Sequence, residues 1–249
     1  ASTNCIESHA WADGMTAWRS HTASNHADVD LTKSDLQIAD IDGDGFDEAI
    51  LIGFADTGSG KIEFHVWNPS FKSWKTHYIS NHPTIDPTKA KVAFADLNGD
   101  GRDEAMVLGM KETGSGLVEF HVWNPGMKTW NNHYISNQPV IDTTSAQINF
   151  ADFDGDKGDE AVLTGISGTG TGKIEIHVWH GGMGVWRSHH ITNHPVINPA
   201  LTRVLYGDFD GDGKDEGVVA GLSSTGSGKV EFHTWNAGFG TWRSNVVSN

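Results

Sequence analysis

The chain is poor in the groups that build several common classes of protein. It has one cysteine, Cys5, among 249 residues, which excludes an internal disulfide framework. Cys5 is either a free thiol or half of an intermolecular bridge, as an odd cysteine near the end of a secreted chain allows. No apolar run approaches the roughly 20 residues of a membrane span, so membrane insertion is not expected. Lys and Arg number 17 against 32 Asp and Glu, a formal net charge of −15. Nucleic-acid phosphates need Lys and Arg, so nucleic acid is not an expected partner. Helix signals are nearly absent: no long run has a 3.6-residue period, while Gly, Trp and β-branched residues abound. The first residues, Ala1-Ser2-Thr3-Asn4, lack an initiator Met and an apolar leader. That is the expectation for a mature secreted product or a trimmed one.

What the chain has is repetition. Asp40-Ile41-Asp42-Gly43-Asp44-Gly45-Phe46-Asp47-Glu48 returns as Asp96-Leu97-Asn98-Gly99-Asp100-Gly101-Arg102-Asp103-Glu104. It returns again at Asp152–Glu160 and Asp208–Glu216, each time 56 residues on. Oxygen side chains at positions 1, 3, 5 and 9, with glycine at 6, suit a hard cation such as Ca²⁺ at about 2.4 Å. Glycine permits the sharp turn. The loops hold 19 of the 32 acidic residues, so four bound Ca²⁺ would bring the charge to about −7. Apolar runs flank every loop, such as Leu36-Gln37-Ile38-Ala39 before and Ala49-Ile50-Leu51-Ile52 after. The loop therefore joins two strands, which excludes the helix–loop–helix EF-hand.

These loops and their flanks resemble the FG-GAP (VCBS-type) repeats of integrin-like β-propellers, over nearly the whole chain. The resemblance implies a calcium loop between the first two strands of a blade, with ligands at positions 1, 3, 5 and 9 and the carbonyl of 7. Carried over, the first site is Asp40, Asp42, Asp44, the Phe46 carbonyl and Glu48. The second is Asp96, Asn98, Asp100, Arg102 and Glu104. The third is Asp152, Asp154, Asp156, Gly158 and Glu160, and the fourth Asp208, Asp210, Asp212, Lys214 and Glu216. Up to four Ca²⁺ are thus implied. Position 9 is Glu where the family usually has Asp, so the carboxylate reaches further. Lys157 replaces the third loop's glycine, which makes that turn costlier.

A second half-repeat runs in the same register. His9-Ala10-Trp11 and Trp18-Arg19-Ser20-His21 match His65-Val66-Trp67 and Trp74-Lys75-Thr76-His77. All ten tryptophans fall in this register, two per copy. The chain thus holds five copies of the Trp half-repeat and four of the acidic one. The expected fold is all-β: a β-propeller-like array of four-stranded antiparallel units with a 56-residue period. One repeat domain, 1–249, divides into a half-unit 1–35 and units 36–91, 92–147, 148–203 and 204–249. In the second unit the strands read as about 91–96, 104–110, 117–124 and 130–136. The third strand alternates: Ile62, Phe64 and Val66 on one face, Glu63, His65 and Trp67 on the other. Thr57-Gly58-Ser59-Gly60 and its copies are turns. They are not phosphate loops, because no Gly-Lys-Ser/Thr and no helix start follow.

Fourteen histidines and a recurring Glu-x-His stripe raise transition-metal or catalytic chemistry. A catalytic constellation is built once, however, and five near-identical copies point to a repeated structural Glu–His hydrogen bond. No unique nucleophile, acid or base stands out, so the chain is not expected to be an enzyme. Repetition favours repeated binding. Tryptophan faces suit the C–H side of sugar rings, and Asn and His suit the hydroxyls. The candidate glycan-binding residues are Trp67, Asn68, Trp74, His77 and Asn81; Trp123, Asn124, Trp130, His133 and Asn137; Trp179, Trp186, His189 and Asn193; and Trp235 and Trp242. The alternative is that both tryptophans of a copy are core. Asn245 replaces His77 in the last copy and Gln138 replaces His82, so neither histidine is essential everywhere.

The expected function is a secreted, calcium-stabilised, multivalent lectin. The alternatives are a protein-adhesion or scaffold module without sugar binding and, further off, a glycan-degrading enzyme. Residues 6–26 supply a third and fourth strand with no first or second, leaving a strand edge that invites pairing. The expectation is a homo-oligomer joined there, reinforced by Cys5; the alternative is a monomer with an incomplete fifth blade.

Overall fold

A computed structural model describes residues 5–11, 18–27, 29–67, 74–123, 129–179, 186–235 and 242–248. All eighteen of its regular elements are strands. The N-terminal half-unit is a two-stranded sheet of β1 (Cys5–Trp11) and β2 (Trp18–Ala27). The first blade is β3 (Ser34–Ala39), β4 (Glu48–Gly53), β5 (Lys61–Trp67) and β6 (Trp74–Pro83). The second is β7 (Ala90–Ala95), β8 (Glu104–Gly109), β9 (Leu117–Trp123) and β10 (Trp130–Pro139). The third is β11 (Ala146–Ala151), β12 (Glu160–Gly165), β13 (Lys173–Trp179) and β14 (Trp186–Pro195). The fourth is β15 (Thr202–Gly207), β16 (Glu216–Gly221), β17 (Glu231–Trp235) and β18 (Trp242–Val247). Each blade is a meander with its strands in sequence order. The fold is the all-β, propeller-type array of four-stranded antiparallel units that the 56-residue period predicts.

The chain falls into two compact units. One comprises Ala1–Phe94, Arg102–Leu108 and His121–His133; the other comprises Ala95–Gly101, Gly109–Phe120 and Tyr134–Asn249. In the first unit, β4 is buried along nearly its whole length, because both of its faces are covered. One face joins Ile50, Ile52, Ile62, Phe64 and Val66 to Val92 and Trp123 of the next blade. On the other face, Ala49, Leu51 and Trp67 pack with Ile6 and Val29 of the N-terminal segment. The half-unit therefore covers the first blade as an incomplete blade would. In the second unit, Ile174, Ile176 and Val178 pack with Val204, Val219 and Trp235. The period-2 pattern of the third strand is obeyed, but the face carrying Trp67 is a blade-to-blade face, not a wet one.

The acidic loops connect the first two strands of their blades, as expected. The β3–β4 ladder pairs Ala39 with Glu48, closing the hairpin at the loop. Cys5 is half-buried at the start of β1, opposite Ala27, and forms no disulfide.

Candidate functional site

The acidic loop is built around its first residue. Asp40 accepts amide hydrogens from Gly43 at 2.7 Å and Gly45 at 2.8 Å, one on each carboxylate oxygen. Both glycines have positive φ, +74° and +83°, which spares the loop the strain a Cβ would bring. In the third loop Lys157 adopts φ +77°. Its amide donates to Asp152 Oδ2 at 2.9 Å, the bond that Gly45 makes in the first loop. The side chain thus leaves the loop geometry unchanged and adds strain. In the second loop Asp96 collects the amides of Asn98, Gly99, Asp100 and Gly101. In the fourth, the amides of Gly213 and Gly211 hold the Asp208 carboxyl below the usual carboxylate range.

Ligating oxygens of Asp40, Asp42 and Glu48 lie within 4.8 Å of one another, and those of Asp152, Asp154 and Glu160 do likewise. Positions 1, 3 and 9 are therefore brought together. Three of the position-5 residues also hold the loop backbone. Asp44 accepts from the Phe46 amide at 2.9 Å, Asp156 from Gly158 at 2.9 Å and Asp212 from Lys214 at 3.0 Å. Glu48, Glu160 and Glu216 are 5%, 4% and 7% exposed. Burying a carboxylate is expensive unless cations or hydrogen bonds compensate it. Glu160 and Glu216 each accept one backbone amide, from Phe153 and Phe209, at 3.0 Å. An all-oxygen, carboxylate-rich donor set of this kind fits a hard divalent cation, and these clusters can hold a metal ion.

Position 8 has a role that the sequence reading did not assign. Asp103 Oδ2 accepts the amide of Asp40 at 2.9 Å, while the Asp103 amide donates to the Asp40 carbonyl at 2.8 Å. Asp159 and Asp96 repeat the clasp, as do Asp215 and Asp152. Each clasp ties a loop to the first residue of the preceding blade's loop. Burial pushes the Asp215 carboxyl up. The signal was present in sequence, since Asp stands at position 8 of every loop without a ligand role to explain it.

In the four blades, where its side chain is described, the first tryptophan is core. Trp67, Trp123, Trp179 and Trp235 are 2%, 0%, 0% and 0% exposed. Trp123 meets Phe64 edge-on at 5.1 Å, and Trp179 meets Phe120 at 5.3 Å. The indole N–H of Trp67 donates to Asn25, and that of Trp123 to Asn81, each at 3.3 Å. These four indoles offer no face to a ligand, and Asn81 anchors one of them. Asn68 and Asn124 lie outside the described residues, as do the side chains of Trp74, Trp130, Trp186 and Trp242.

The histidines gather on the outer half of each blade. His65 on β5 faces His77 on β6, and their imidazoles stack at 4.1 Å. His121 and His133 stack at 4.0 Å, as do His177 and His189. Glu63 reaches His77 at 3.2 Å and His65 at 3.6 Å. The expected Glu–His hydrogen bond is thus made mainly across the strand pair. Burial and then the neighbouring His77 hold His65 below its ordinary range, and burial with His189 lowers His177 to about 4. Burial alone would raise Glu63, but Ser59 and His77 bring it below its ordinary value. The glycine-rich turn supplies that serine: Glu63 Oε1 accepts from the Ser59 amide at 3.1 Å and its hydroxyl at 2.6 Å.

The outer strand presents a repeated exposed row. His77, Ile79 and Asn81 on β6 recur as His133, Ile135 and Asn137 on β10 and as His189, Ile191 and Asn193 on β14, all exposed. The three isoleucines are 47%, 48% and 51% exposed.

A family model described as FG-GAP-like repeat matches residues 40–107, from the first acidic loop into β8. No curated protein matches the chain. Among solved structures, one of an Agrocybe aegerita lectin is similar, with 17% identity and a TM-score of 0.43. It is described as specifically recognising non-reducing terminal N-acetylglucosamine. The match covers 87% of this chain and 66% of that one, so this chain spans just under two thirds of its length.

Proposed function

We propose that this FG-GAP-type propeller chain is a secreted, calcium-stabilised, non-catalytic protein that binds glycans at several equivalent sites. One observation carries the reading: the exposed His–Ile–Asn row recurs in register on β6, β10 and β14. Each row sets an exposed apolar side chain between hydrogen-bonding ones. That mixture suits a sugar, which offers a C–H face and hydroxyls together. Single sites of this kind are weak; several on one scaffold raise avidity without new contacts. The buried first tryptophans Trp67, Trp123, Trp179 and Trp235 support the scaffold, so the ligand surface proposed is the outer strand. Calcium is the cation proposed for the loops, on their all-oxygen donors. It would bind Asp40, Asp42 and Glu48 and their equivalents, and would offset the charge that those carboxylates bring together.

The test is a glycan array in calcium buffer, followed by calorimetry on a responsive glycan. Several equivalent weak sites per chain are expected, and Ile79, Ile135 and Ile191 changed together to Asp should abolish the heat. No saturable signal across a broad panel would reject glycan binding and move the reading to a polypeptide partner.

Copies of the chain are proposed to associate. Leu36 and Ile38 on β3 are 46% and 58% exposed, whereas Val92 and Phe94, at the same positions of β7, pack on the first blade. Phe232 on β17 is 38% exposed, whereas its counterparts Phe64 and Phe120 are fully buried. The surface of the first blade and that of the last thus each expose one side of an interface built between interior blades. A second copy is the occupant that both sides fit.

A further inference from the structure

The Glu63-x-His65 stripe of β5 and its copies are absorbed neither by the acidic loops nor by the glycan reading, although their cross-strand partners His77 and His189 also stand in the exposed row. The carboxylate of the stripe is held in a particular way. Glu63 gives Oε1 to the Ser59 amide and hydroxyl, and turns Oε2 to both imidazoles. Glu175 does the same: Oε1 accepts from the Thr171 amide at 3.3 Å and hydroxyl at 2.6 Å, while Oε2 faces His189 at 3.2 Å and His177 at 3.9 Å. Fixing one oxygen of a ligating carboxylate through outer hydrogen bonds is how proteins orient metal ligands.

The spacing fits ligands of one ion as well as the hydrogen bond between Glu63 and His77. A tetrahedral ion with bonds of 2.0–2.1 Å holds its ligand atoms about 3.3 Å apart. His65 and His77 place their Nε2 atoms 3.6 Å and 3.2 Å from one carboxylate oxygen. One hydrogen bond to His77 would need neither His65 nor the stacked pair. The donor set also differs from that of the loops: two imidazoles and one carboxylate suit Zn²⁺, Cu²⁺ or Ni²⁺, not Ca²⁺.

We propose that Glu63, His65 and His77, and again Glu175, His177 and His189, form repeated sites for a borderline transition cation of the Zn²⁺ class, chemically separate from the acidic loops. Each supplies three protein ligands on the rigid β5–β6 or β13–β14 pair and leaves a fourth position to water. His77 and His189 are on the exposed side, so the ion can enter without unfolding. The fourth blade is the natural control. Glu231 and His233 are in place at 3.4 Å, but Asn245 stands opposite His233, so that copy lacks one imidazole.

The experiment uses the full chain with its loops saturated by calcium. Zn²⁺ is titrated by calorimetry, and Co²⁺ is followed by its visible absorption, which intensifies in four-coordinate N/O sites. Wild type should show the intense Co²⁺ band. The double variant H77N/H189N copies the residue that the fourth blade already carries, and should lose two equivalents of metal. Conversely, N245H should gain one. Circular dichroism should be unchanged in both. Absence of the Co²⁺ band in wild type overturns the proposal, as does an unchanged stoichiometry in either folded variant. The readout involves no sugar, so its failure leaves the glycan reading standing.

Discussion

Trp123 is fully buried, fits edge-on against Phe64 of the preceding blade and gives its N–H to Asn81. Truncating such a side chain removes apolar contact, leaves a cavity and strips the Asn81 oxygen of a donor. Trp123→Ala should therefore lower stability by about 3–5 kcal/mol, in the range of large-to-small core changes. Urea unfolding followed by circular dichroism measures it, and a loss below about 1 kcal/mol would contradict the packing described. Lys157 makes the opposite case. Its backbone sits in the left-handed region at φ +77°, where a Cβ costs roughly 1–2 kcal/mol. Lys157→Gly should raise stability by about 1 kcal/mol, less the greater freedom glycine gains in the unfolded chain. A decrease would mean that the lysine side chain makes a contact worth more than the strain.

The element whose part in stability can be tested is the acidic hairpin. Three of its carboxylates converge, and position 8 clasps the loop before it. Without a cation the like charges repel, and loosening one loop frees its neighbour through the clasp. A site that binds only the folded state adds about 2.7 kcal/mol at a hundredfold excess over Kd. The melting midpoint should therefore be higher in millimolar CaCl₂ than in EDTA, and equal midpoints after verified metal removal would sink the calcium reading. Asp40→Ala and Asp208→Ala should lower the calcium-loaded midpoint more than Asp152→Ala, because the third loop already carries the strain at Lys157. Scanning calorimetry of the three variants gives that order directly.

For the whole molecule, the question is what meets the exposed faces of the first and last blades. Deleting the half-unit cannot answer it, since Ile6 and Val29 cover Trp67 and its loss would unfold the first blade for other reasons. Surface changes can. If copies associate through these faces, light scattering should give a mass above 27.0 kDa for wild type. Ile38→Asp or Phe232→Asp should each reduce it to the monomer while leaving the melting midpoint nearly unchanged. A wild-type monomer at micromolar concentration would rule association out, and a dimer lost only under reducing conditions would assign the link to Cys5.

The strand pattern, the hairpin loops and the period were legible in the chain because each depends on residues close in sequence. Alternation sets a strand's faces, glycine at position 6 sets the turn in three of the four loops, and a fixed 56-residue step repeats the pattern. The same residues could not say which face was wet. Trp67 falls with Glu63 and His65 by alternation, yet the N-terminal segment covers it, and Trp123 is covered by Phe64, 59 positions away. Nor could spacing reveal that Asp103 bonds Asp40 across 63 residues, or that Ser59 aims Glu63 at two imidazoles. Those depend on how blade meets blade and strand meets strand, where burial is decided by surfaces far apart in sequence. The local code fixes what each segment is, and the tertiary contacts fix what each side chain is for.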